Sequence, residues 1–353
     1  MGREIQSFLT HLFIIFMIHS YFAAFVDLSY ILQRNLYACS KGRNPGDYGA
    51  GDVIRSIIQT LNKIPRDFGI NISKYILVAD SYSPEHQGYY RHWLLKGSYK
   101  TSRKWMTEDM YKEIKEDPNS TEKDIQKAEA ELYLNEVKQE AKRILKTELK
   151  NFGVPCIWQP GWEYDDCAYL FSCLWYGIPD PRKCLIITKD SDLEYSINPK
   201  VDYFKIPSYG KEPEIITYDQ KYLTVPQEIR DRGVSLYQYK SMLDSLGISH
   251  NDMRKTKSLK ANTTQCILNI LDGDYSLVAD EELFKRQLST FDISSFPGLE
   301  EIKTRFLNNA FTMGRLSDLE AFKEFCSAHD ITGISDTYYL NFISRFDQKL
   351  FTE

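Results

Sequence analysis

Three short, largely apolar runs along the chain each lead into an acidic residue. They span residues 21–26, 74–79 and 184–188, and the acids that follow are Asp27, Asp80 and Asp190. A continuous apolar run of this length is typical of a strand buried on both faces, and the spacing of apolar residues in segment 53–61 is typical of a helix. The pattern predicts an α/β fold with a mostly parallel central sheet and helices on both faces. Because ligands of such sheets bind beyond the carboxyl ends of the strands, three strands are expected to bring an acid to one edge.

The segment 8–26 is apolar enough to resemble a signal anchor. Its unbroken apolar core, residues 12–18, has only seven residues, whereas a membrane-spanning helix needs about 20. We therefore interpret residues 1–20 as an N-terminal apolar helix that packs on the protein and leads into the first strand. This interpretation predicts a cytoplasmic protein, in the host cytoplasm if its source is viral. A secretory leader cleaved near Ala24 and a membrane-tethered protein are the alternatives.

Two segments between the second and third of these runs differ from the rest of the chain. Residues 86–107 contain no acid, and residues 119–150 have the N-terminal cap and mixed charges of a long helix with a solvated face. After residue 200 the apolar periodicity weakens, and a more helical region begins near Ser235. We therefore divide the chain into the apolar helix 1–20, a catalytic domain at 21–234 that contains the insertion 86–150, and a helical lobe at 235–353.

Composition and charge exclude several classes of protein. The chain has 353 residues, 42% hydrophobic and 14% aromatic, which is enough for a large core and excludes a disordered, collagen-like or repeat protein. Its net charge of −5 argues against a nucleic-acid binder that acts through charge alone. Its seven cysteines form no Cys-x-x-Cys pair, so neither a disulfide framework nor a structural zinc site is expected, and a reducing compartment is the natural interpretation.

Seven acids are expected to converge at the carboxyl edge of the sheet. Each of them alone has an ordinary explanation as a helix cap or a turn residue. Together they would repel one another and raise each other's pKa, and folding alone gains no stability from this crowding. A pair of divalent cations explains it, because carboxylate oxygens are suitable ligands for Mg²⁺ or Mn²⁺. Two such ions about 4 Å apart can clamp a phosphodiester and activate water. The seven acids are Asp27, Asp80, Glu163, Asp165, Asp166, Asp190 and Asp192.

The segment 86–107 complements this group of acids. An acid-rich site repels phosphate until metal ions neutralise it, so a nuclease also needs cations placed over the scissile strand. The segment has five cations and no acid, and its aromatic residues can stack on bases. A solvated basic helix is the alternative. The cations are Arg91, Lys96, Lys100, Arg103 and Lys104.

The order of these elements resembles the flap endonuclease / 5′→3′ exonuclease superfamily of PIN-like nucleases. The motifs that carry the resemblance are VDLSY, VAD followed by YYRHWLLKGSYKTSRK, GWEYDDCAYLF and LIITKDSDLEYS. Two further segments, CILNILDGDYS and FKRQLSTFDISSFP, are similar to C-terminal parts of the ribonuclease H of T-even bacteriophages, the form that this sequence most resembles. The resemblance is discontinuous and covers about residues 20–300. It implies a PIN-like 5′-nuclease fold with a helical arch insertion and a DNA-binding C-terminal lobe.

The resemblance also implies roles for particular residues. It adds Asp274 to the seven acids as a metal-binding residue, and it implies two Mg²⁺ ions, for which Mn²⁺ can substitute. Lys100, Arg103, Asp165 and Asp190 would be catalytic, with the two cations steering and stabilising the phosphate. The nucleic-acid-binding residues would be Arg91, Tyr99, Lys100, Arg103 and Lys104.

The C-terminal lobe departs from the family pattern in two places. The family usually has Gly-Asp-x-x-Asp, whereas here Gly273 and Asp274 are followed by Leu277 at the position of the last acid. Asp272 or Asp280 could substitute, or the second metal binds weakly. No Gly-x-Gly hairpin follows, so duplex contacts would come from another basic loop, and a solvated loop is the alternative for the same residues. That loop contains Arg254, Lys255, Lys257 and Lys260.

We therefore expect a divalent-metal-dependent, structure-specific 5′→3′ nuclease that removes RNA primers and short 5′ flaps in phage DNA replication. Its substrates would be 5′-flap or 5′-ended DNA and RNA–DNA hybrids. We further expect a single-stranded-DNA-binding protein and a sliding clamp as partners and a monomeric state, and no membrane, because segment 8–26 is interpreted as a packed helix. One alternative is a PIN-type ribonuclease that acts on single-stranded RNA, although such domains usually lack an insertion as long as 86–150. The other is a catalytically impaired protein that binds branched DNA, since Leu277 replaces an acid.

Overall fold

A mostly parallel sheet of seven strands forms the centre of the protein. The structure, a computed structural model, describes residues 19–85, 88–94, 106–152, 154–206, 213–248, 257–311 and 319–338. The strands lie in the order β4-β3-β1-β5-β6-β7, and β2 also pairs with β1. They are β1 His19–Asp27, β2 Ile70–Ile72, β3 Tyr75–Val78, β4 Cys156–Ile157, β5 Lys183–Thr188, β6 Val201–Lys205 and β7 Glu214–Ile216.

The strand β1 is central because its apolar residues are covered on both faces. Residues 21–26 are all buried, and β1 pairs in parallel with β2, β3 and β5. Asp27 is paired with Val78 at the end of β3, and Val26 is paired with Ile187 near the end of β5. Asp27 and the residues that follow β3 and β5 therefore share one edge of the sheet. The pairs β3–β4 and β5–β6 are also parallel, and β6–β7 is antiparallel.

Helices pack on both faces of this sheet. The longest described helix, Glu122–Thr147, begins at a capping box in which Thr121 Oγ1 accepts the Asp124 N–H and the Asp124 carboxylate accepts the Thr121 N–H. The described helices are α1 Leu28–Ser40, α2 Ala50–Phe68, α3 Tyr90–Leu94, α4 Glu108–Glu116, α5 Glu122–Thr147, α6 Tyr164–Gly177, α7 Tyr218–Tyr222, α8 Gln227–Arg230, α9 Leu236–Ser245, α10 Lys257–Leu271, α11 Glu281–Ser289, α12 Leu299–Phe311 and α13 Leu319–Ala328.

Two hydrophobic cores lie on opposite faces of the sheet. Side chains alternate along β1, so Phe25 belongs to one core while Ala24 and Val26 belong to the other. In the first core, Phe171 of α6 and Phe306 of α12 stack with ring centroids 4.5 Å apart. Burying each such ring contributes roughly 1.5–3 kcal/mol relative to exposure. The second core is covered by α1, α2, α5 and α13.

The helices of the C-terminal region pack on the same cores as the sheet. Leu243 of α9, Ile267 of α10 and Phe306 of α12 belong to the first core, and Phe322 and Phe325 of α13 belong to the second. The predicted boundary at residues 234 and 235 falls between α8 and α9. The assignment of a separate DNA-binding lobe stays a prediction.

The fold confirms the predicted α/β class and adds detail that the apolar pattern missed. The strand β1 begins at His19, and residues 1–18 of the predicted apolar helix lie outside the described residues. Of the predicted arch, the structure describes residues 88–94 and 106–107, and residues 86–87 and 95–105 lie outside it. The strands β2, β4, β6 and β7 were not predicted. None of the described helices has both the length and the apolar character needed to cross a membrane.

Candidate functional site

Asp27 is the last residue of β1 and the N-cap of α1. Its Oδ1 accepts the backbone N–H of Tyr30 at 2.8 Å, and its Oδ2 accepts the hydroxyl of Thr188 at 2.9 Å. Burial, and after it the carboxylates of Asp80 and Asp190, raise the pKa of Asp27 to about 7, against the effect of these two hydrogen bonds. The carboxylate is therefore held in one orientation, close to other acids.

Asp80 follows β3 and joins it to two helices. Its Oδ1 accepts the backbone N–H of Tyr164, in the first turn of α6, at 2.7 Å. Its backbone carbonyl accepts a hydrogen bond from Lys142 Nζ of α5 at 2.9 Å. The amides at a helix N-terminus carry partial positive charge and favour an anion, so α6 fixes the carboxylate of Asp80 at its own start.

Helix α6 begins with three further acids. Glu163 is its N-cap, and the backbone N–H of Glu163 donates to Asp166 Oδ2 at 3.2 Å in a capping box. Burial raises the pKa of Asp165 well above its usual range, and Asp190, Glu163 and Asp166 raise it further, while Arg91 lowers it. The first turn of α6 thus concentrates negative charge beside the strand ends.

Arg91 lies inside this group of acids. Its Nη2 is 2.5 Å from Asp166 Oδ1, and only 9% of Arg91 and 1% of Asp166 are exposed. The guanidinium also lies 5.2 Å from the ring centroid of Phe291. Burial raises the pKa of Asp166 to about 6, although Arg91 lowers it. In the structure Arg91 pairs with Asp166, and its expected contact with nucleic acid stays a prediction. The other predicted nucleic-acid contacts lie outside the described residues: Tyr99, Lys100, Arg103 and Lys104.

Asp190 and Asp192 follow β5 in a 3-10 turn at Ser191–Tyr195. Asp190 Oδ1 accepts the backbone N–H of Asp192 at 3.0 Å, and both side chains are exposed. Asp190 is nevertheless close enough to Asp27 and Asp165 to raise the pKa of each. The third strand end therefore belongs to the same electrostatic group as the first.

The structure brings six of the eight predicted metal-binding acids into one group, which we call the acidic edge. Asp192 borders this group. Asp274 differs, because its described contacts lie within its own turn, with Asn269 Nδ2 at 3.1 Å and the Ser276 N–H at 2.8 Å. Its role as a metal ligand stays a prediction. The acidic edge consists of Asp27, Asp80, Glu163, Asp165, Asp166 and Asp190.

Two charged residues of α9 border the acidic edge and were not predicted. Lys240 Nζ lies 3.5 Å from Asp192, and it also pairs with Asp244 one turn later. Burial raises the pKa of Asp244, Lys240 and Arg91 lower it, and Asp192 raises it. The i,i+4 spacing of Lys240 and Asp244 is visible in the sequence. Their proximity to Asp192 depends on how α9 packs, which that spacing does not show.

The donors of the acidic edge suit a hard divalent cation. All six are carboxylates, the ligands that Mg²⁺ and Mn²⁺ prefer. Over the ranges that the structure describes, no three His, Cys, Asp or Glu side chains are grouped closely enough to form a metal site on their own. Mg²⁺ fits a site with few protein ligands, because it keeps several waters and binds through one or two carboxylates. A structural Zn²⁺ site uses Cys and His ligands instead, and the acidic edge consists of Asp and Glu alone.

The fold and the acidic edge together define a class of protein. The chain is an α/β protein with a mostly parallel sheet, helices on both faces and a carboxylate group beyond the carboxyl ends of three strands. This is the architecture that the resemblance to PIN-like 5′-nucleases implies.

Particular solved structures are similar to it, although no family model and no curated protein matches the sequence. The bacteriophage T5 D15 flap endonuclease, in a pseudo-enzyme–product complex with DNA and metal ions, is 16% identical with a TM-score of 0.48, over 82% of this chain and 99% of that one. The T5 5′-exonuclease with bound zinc is 17% identical with a TM-score of 0.45, over 82% and 99%. The catalytic core of Rad2 in complex with DNA substrate is 13% identical with a TM-score of 0.38, over 93% and 92%.

Two of these neighbours are a flap endonuclease and a 5′-exonuclease, and the third is a catalytic core bound to DNA substrate. At these identities and TM-scores they carry no conclusion about the activity of this chain. The particular similarity to T-even ribonuclease H stays a prediction.

Proposed function

We propose that this chain is a divalent-metal-dependent, structure-specific 5′→3′ nuclease of the ribonuclease H / flap endonuclease type. One observation supports the proposal most strongly. Carboxylates from the ends of β1, β3 and β5 and from the start of α6 meet at one edge, where burial and, after it, the neighbouring carboxylates raise the pKa of Asp27 and Asp165. Such crowding weakens a folded protein unless cations offset it. The removal of RNA primers and short 5′ flaps in phage DNA replication is the part of the proposal that follows from the sequence motifs.

The acidic edge, together with Asp192, would hold two Mg²⁺ ions, and Asp274 is the remaining candidate ligand. When bound, the ions would activate water and clamp the scissile phosphodiester. The chain's own groups orient the ligands beforehand. The Thr188 hydroxyl holds Asp27, and the Tyr164 N–H holds Asp80.

Arg91 and the basic segment supply the positive charge of the proposed site. The guanidinium of Arg91 fixes the orientation of Asp166 and balances part of the negative charge when phosphate approaches. Lys100 and Arg103 would counter the charge that develops on the phosphate in the transition state. The support for these two residues is the Tyr-Lys-x-x-Arg motif at residues 99–103.

Cleavage of labelled nucleic acid tests the proposal. Purified protein should release 5′ products from 5′-flap DNA and from RNA–DNA hybrids in Mg²⁺ and not in EDTA. Asp165→Asn and Asp190→Asn should each abolish cleavage and leave the circular dichroism spectrum unchanged. Asp231→Asn, at an exposed position just after α8, is the matched control and should cleave normally. Full activity in Asp165→Asn would remove the two-metal assignment.

A second candidate is a protein that binds branched DNA without hydrolysing it. The observation in its favour is that the described contacts of Asp274 stay within its own turn and that Leu277, 56% exposed, stands where the family has its last acid. In this case flap DNA would bind with and without Mg²⁺ and would not be cut. Cutting that depends on Mg²⁺ would exclude it.

A further inference from the structure

Three lysines form a row along α5. Lys138, Lys142 and Lys146 are four residues apart, so they lie on one side of the helix and about 6 Å apart along its axis. All three are half-buried. The middle of the row touches the acidic edge, because Lys142 Nζ donates to the backbone carbonyl of Asp80 at 2.9 Å.

Trp158 connects this row to a fourth cation on α12. Lys146 Nζ lies 3.8 Å from the centroid of the Trp158 ring, and Arg305 Cζ lies 5.0 Å from the same centroid. The guanidinium of Arg305 also donates to the backbone carbonyl of Trp158. A tryptophan ring attracts cations through its π-electrons. Trp158 therefore holds two cations side by side that are far apart in the sequence.

Like charges are crowded in this row. Burial, and after it the charges of Lys142 and Arg305, lower the pKa of Lys146 to about 8. Among the described ion pairs, none joins Lys142, Lys146 or Arg305 to a carboxylate, and the acids of the same part of α5, Glu140 and Glu148, pair with other cations. An anionic ligand would relieve the repulsion between these side chains.

We propose that Lys138, Lys142, Lys146 and Arg305 form a basic track that binds the backbone of a single nucleic-acid strand leading to or from the acidic edge. The lysine row is about 12 Å long. A nucleic-acid backbone carries one negative charge per nucleotide, so more than one phosphate can contact a row of this length. One row of cations faces one backbone, which favours a single strand over a duplex. The proposal depends on the proposed function only in taking the acidic edge as the reaction site.

Binding of a single strand without hydrolysis tests the track. The probe is a fluorescein-labelled oligodeoxythymidylate, and its binding is followed by fluorescence anisotropy in EDTA at several salt concentrations. In Lys142→Gln/Lys146→Gln, the loss of two phosphate contacts should lower the slope of log affinity against log salt by about 1.4. At about 0.1 M salt this corresponds to an affinity about 25-fold weaker.

Two further variants separate charge from folding. Lys142→Arg/Lys146→Arg keeps both charges and should keep most of the affinity. Lys123→Gln/Lys127→Gln removes two charges from an exposed part of the same helix and should leave the affinity and the salt slope unchanged. Because Lys142 also bonds to Asp80, Lys146→Gln/Arg305→Gln replaces the first variant if that one does not fold, and the same loss is expected.

Three results would contradict the track or separate it from the catalytic proposal. A folded glutamine variant with wild-type affinity and salt slope would overturn the track. An equal loss of affinity for blunt duplex DNA would overturn its assignment to a single strand. Absence of Mg²⁺-dependent cleavage in the wild type would contradict the proposed function alone, because the binding experiment contains no metal ion.

Discussion

The metal-free protein should lose stability as the pH rises from about 4 to about 7, because of Asp27. In the folded chain, burial and Asp80 raise the pKa of this carboxyl from 3.8 to about 7. Between these values the folded state keeps a proton that the unfolded state has released, so the free energy of unfolding falls as the pH rises. About three pKa units at roughly 1.4 kcal/mol each give about 4 kcal/mol. The free energy of unfolding of a folded protein is typically roughly 5–15 kcal/mol, so this one carboxyl changes a large part of it.

Replacing Asp27 by Asn isolates this contribution. Asparagine still caps α1 but cannot ionise. At about pH 8, metal-free Asp27→Asn should therefore be more stable than the wild type by up to about 4 kcal/mol. If the variant loses the hydrogen bond from Thr188, this gain is smaller by about 1 kcal/mol. Below about pH 4 both proteins have a neutral side chain here, and the difference should vanish.

Urea denaturation followed by tryptophan fluorescence in EDTA measures this difference. Asp231→Asn, which changes an exposed carboxylate, is the control and should follow the wild type at every pH. Adding Mg²⁺ at about pH 8 should stabilise the wild type and should stabilise Asp27→Asn less, because a ligand that binds the folded state shifts the unfolding equilibrium. Equal stability of wild type and Asp27→Asn in EDTA at this pH would refute the electrostatic reasoning.

Three other predictions follow from individual contacts. Arg91→Ala should lower the free energy of unfolding by about 3–5 kcal/mol in urea denaturation, because the buried carboxylate of Asp166 loses its cation; a loss below about 1 kcal/mol would contradict the ion pair. Thr188→Val should raise the pKa of Asp27 further and weaken Mg²⁺ binding in calorimetric titration, because a donor to the carboxylate is lost; unchanged binding would show that Asp27 is no ligand. Lys100→Ala should lower turnover on flap substrates by about 100-fold or more; unchanged turnover on flap and gap substrates would remove Lys100 from the proposed site.

The sequence predicted those parts of the fold that depend on local patterns. Strands β1, β3 and β5 are buried on both faces, so their residues form continuous apolar runs that stand out from the helices. Because parallel strands end at one edge, the convergence of Asp27, Asp80 and Asp190 followed from the runs alone. The start of the long helix at Thr121 followed from its cap residues.

The missed features depend on packing between distant segments. The strand β4 has only two residues, and β7 has three with no buried residue, so neither has a clear apolar pattern. Arg91 belongs to a basic segment, and no local signal shows that it pairs with Asp166, 75 positions later. Lys142 was interpreted as part of a solvated helix face, whereas the packing of α5 brings it to the carbonyl of Asp80.

The central claim is that the acidic edge binds divalent cations, and a titration with Mn²⁺ tests it most directly. Free Mn²⁺ is measured by electron paramagnetic resonance as the ion is added to the metal-free protein. The account predicts saturable binding of about two Mn²⁺ ions per chain, which Mg²⁺ displaces. The double variant Asp80→Asn/Asp165→Asn should lose this binding, and Asp231→Asn should keep it. No saturable binding by the wild type, or unchanged binding by the double variant, would contradict the account.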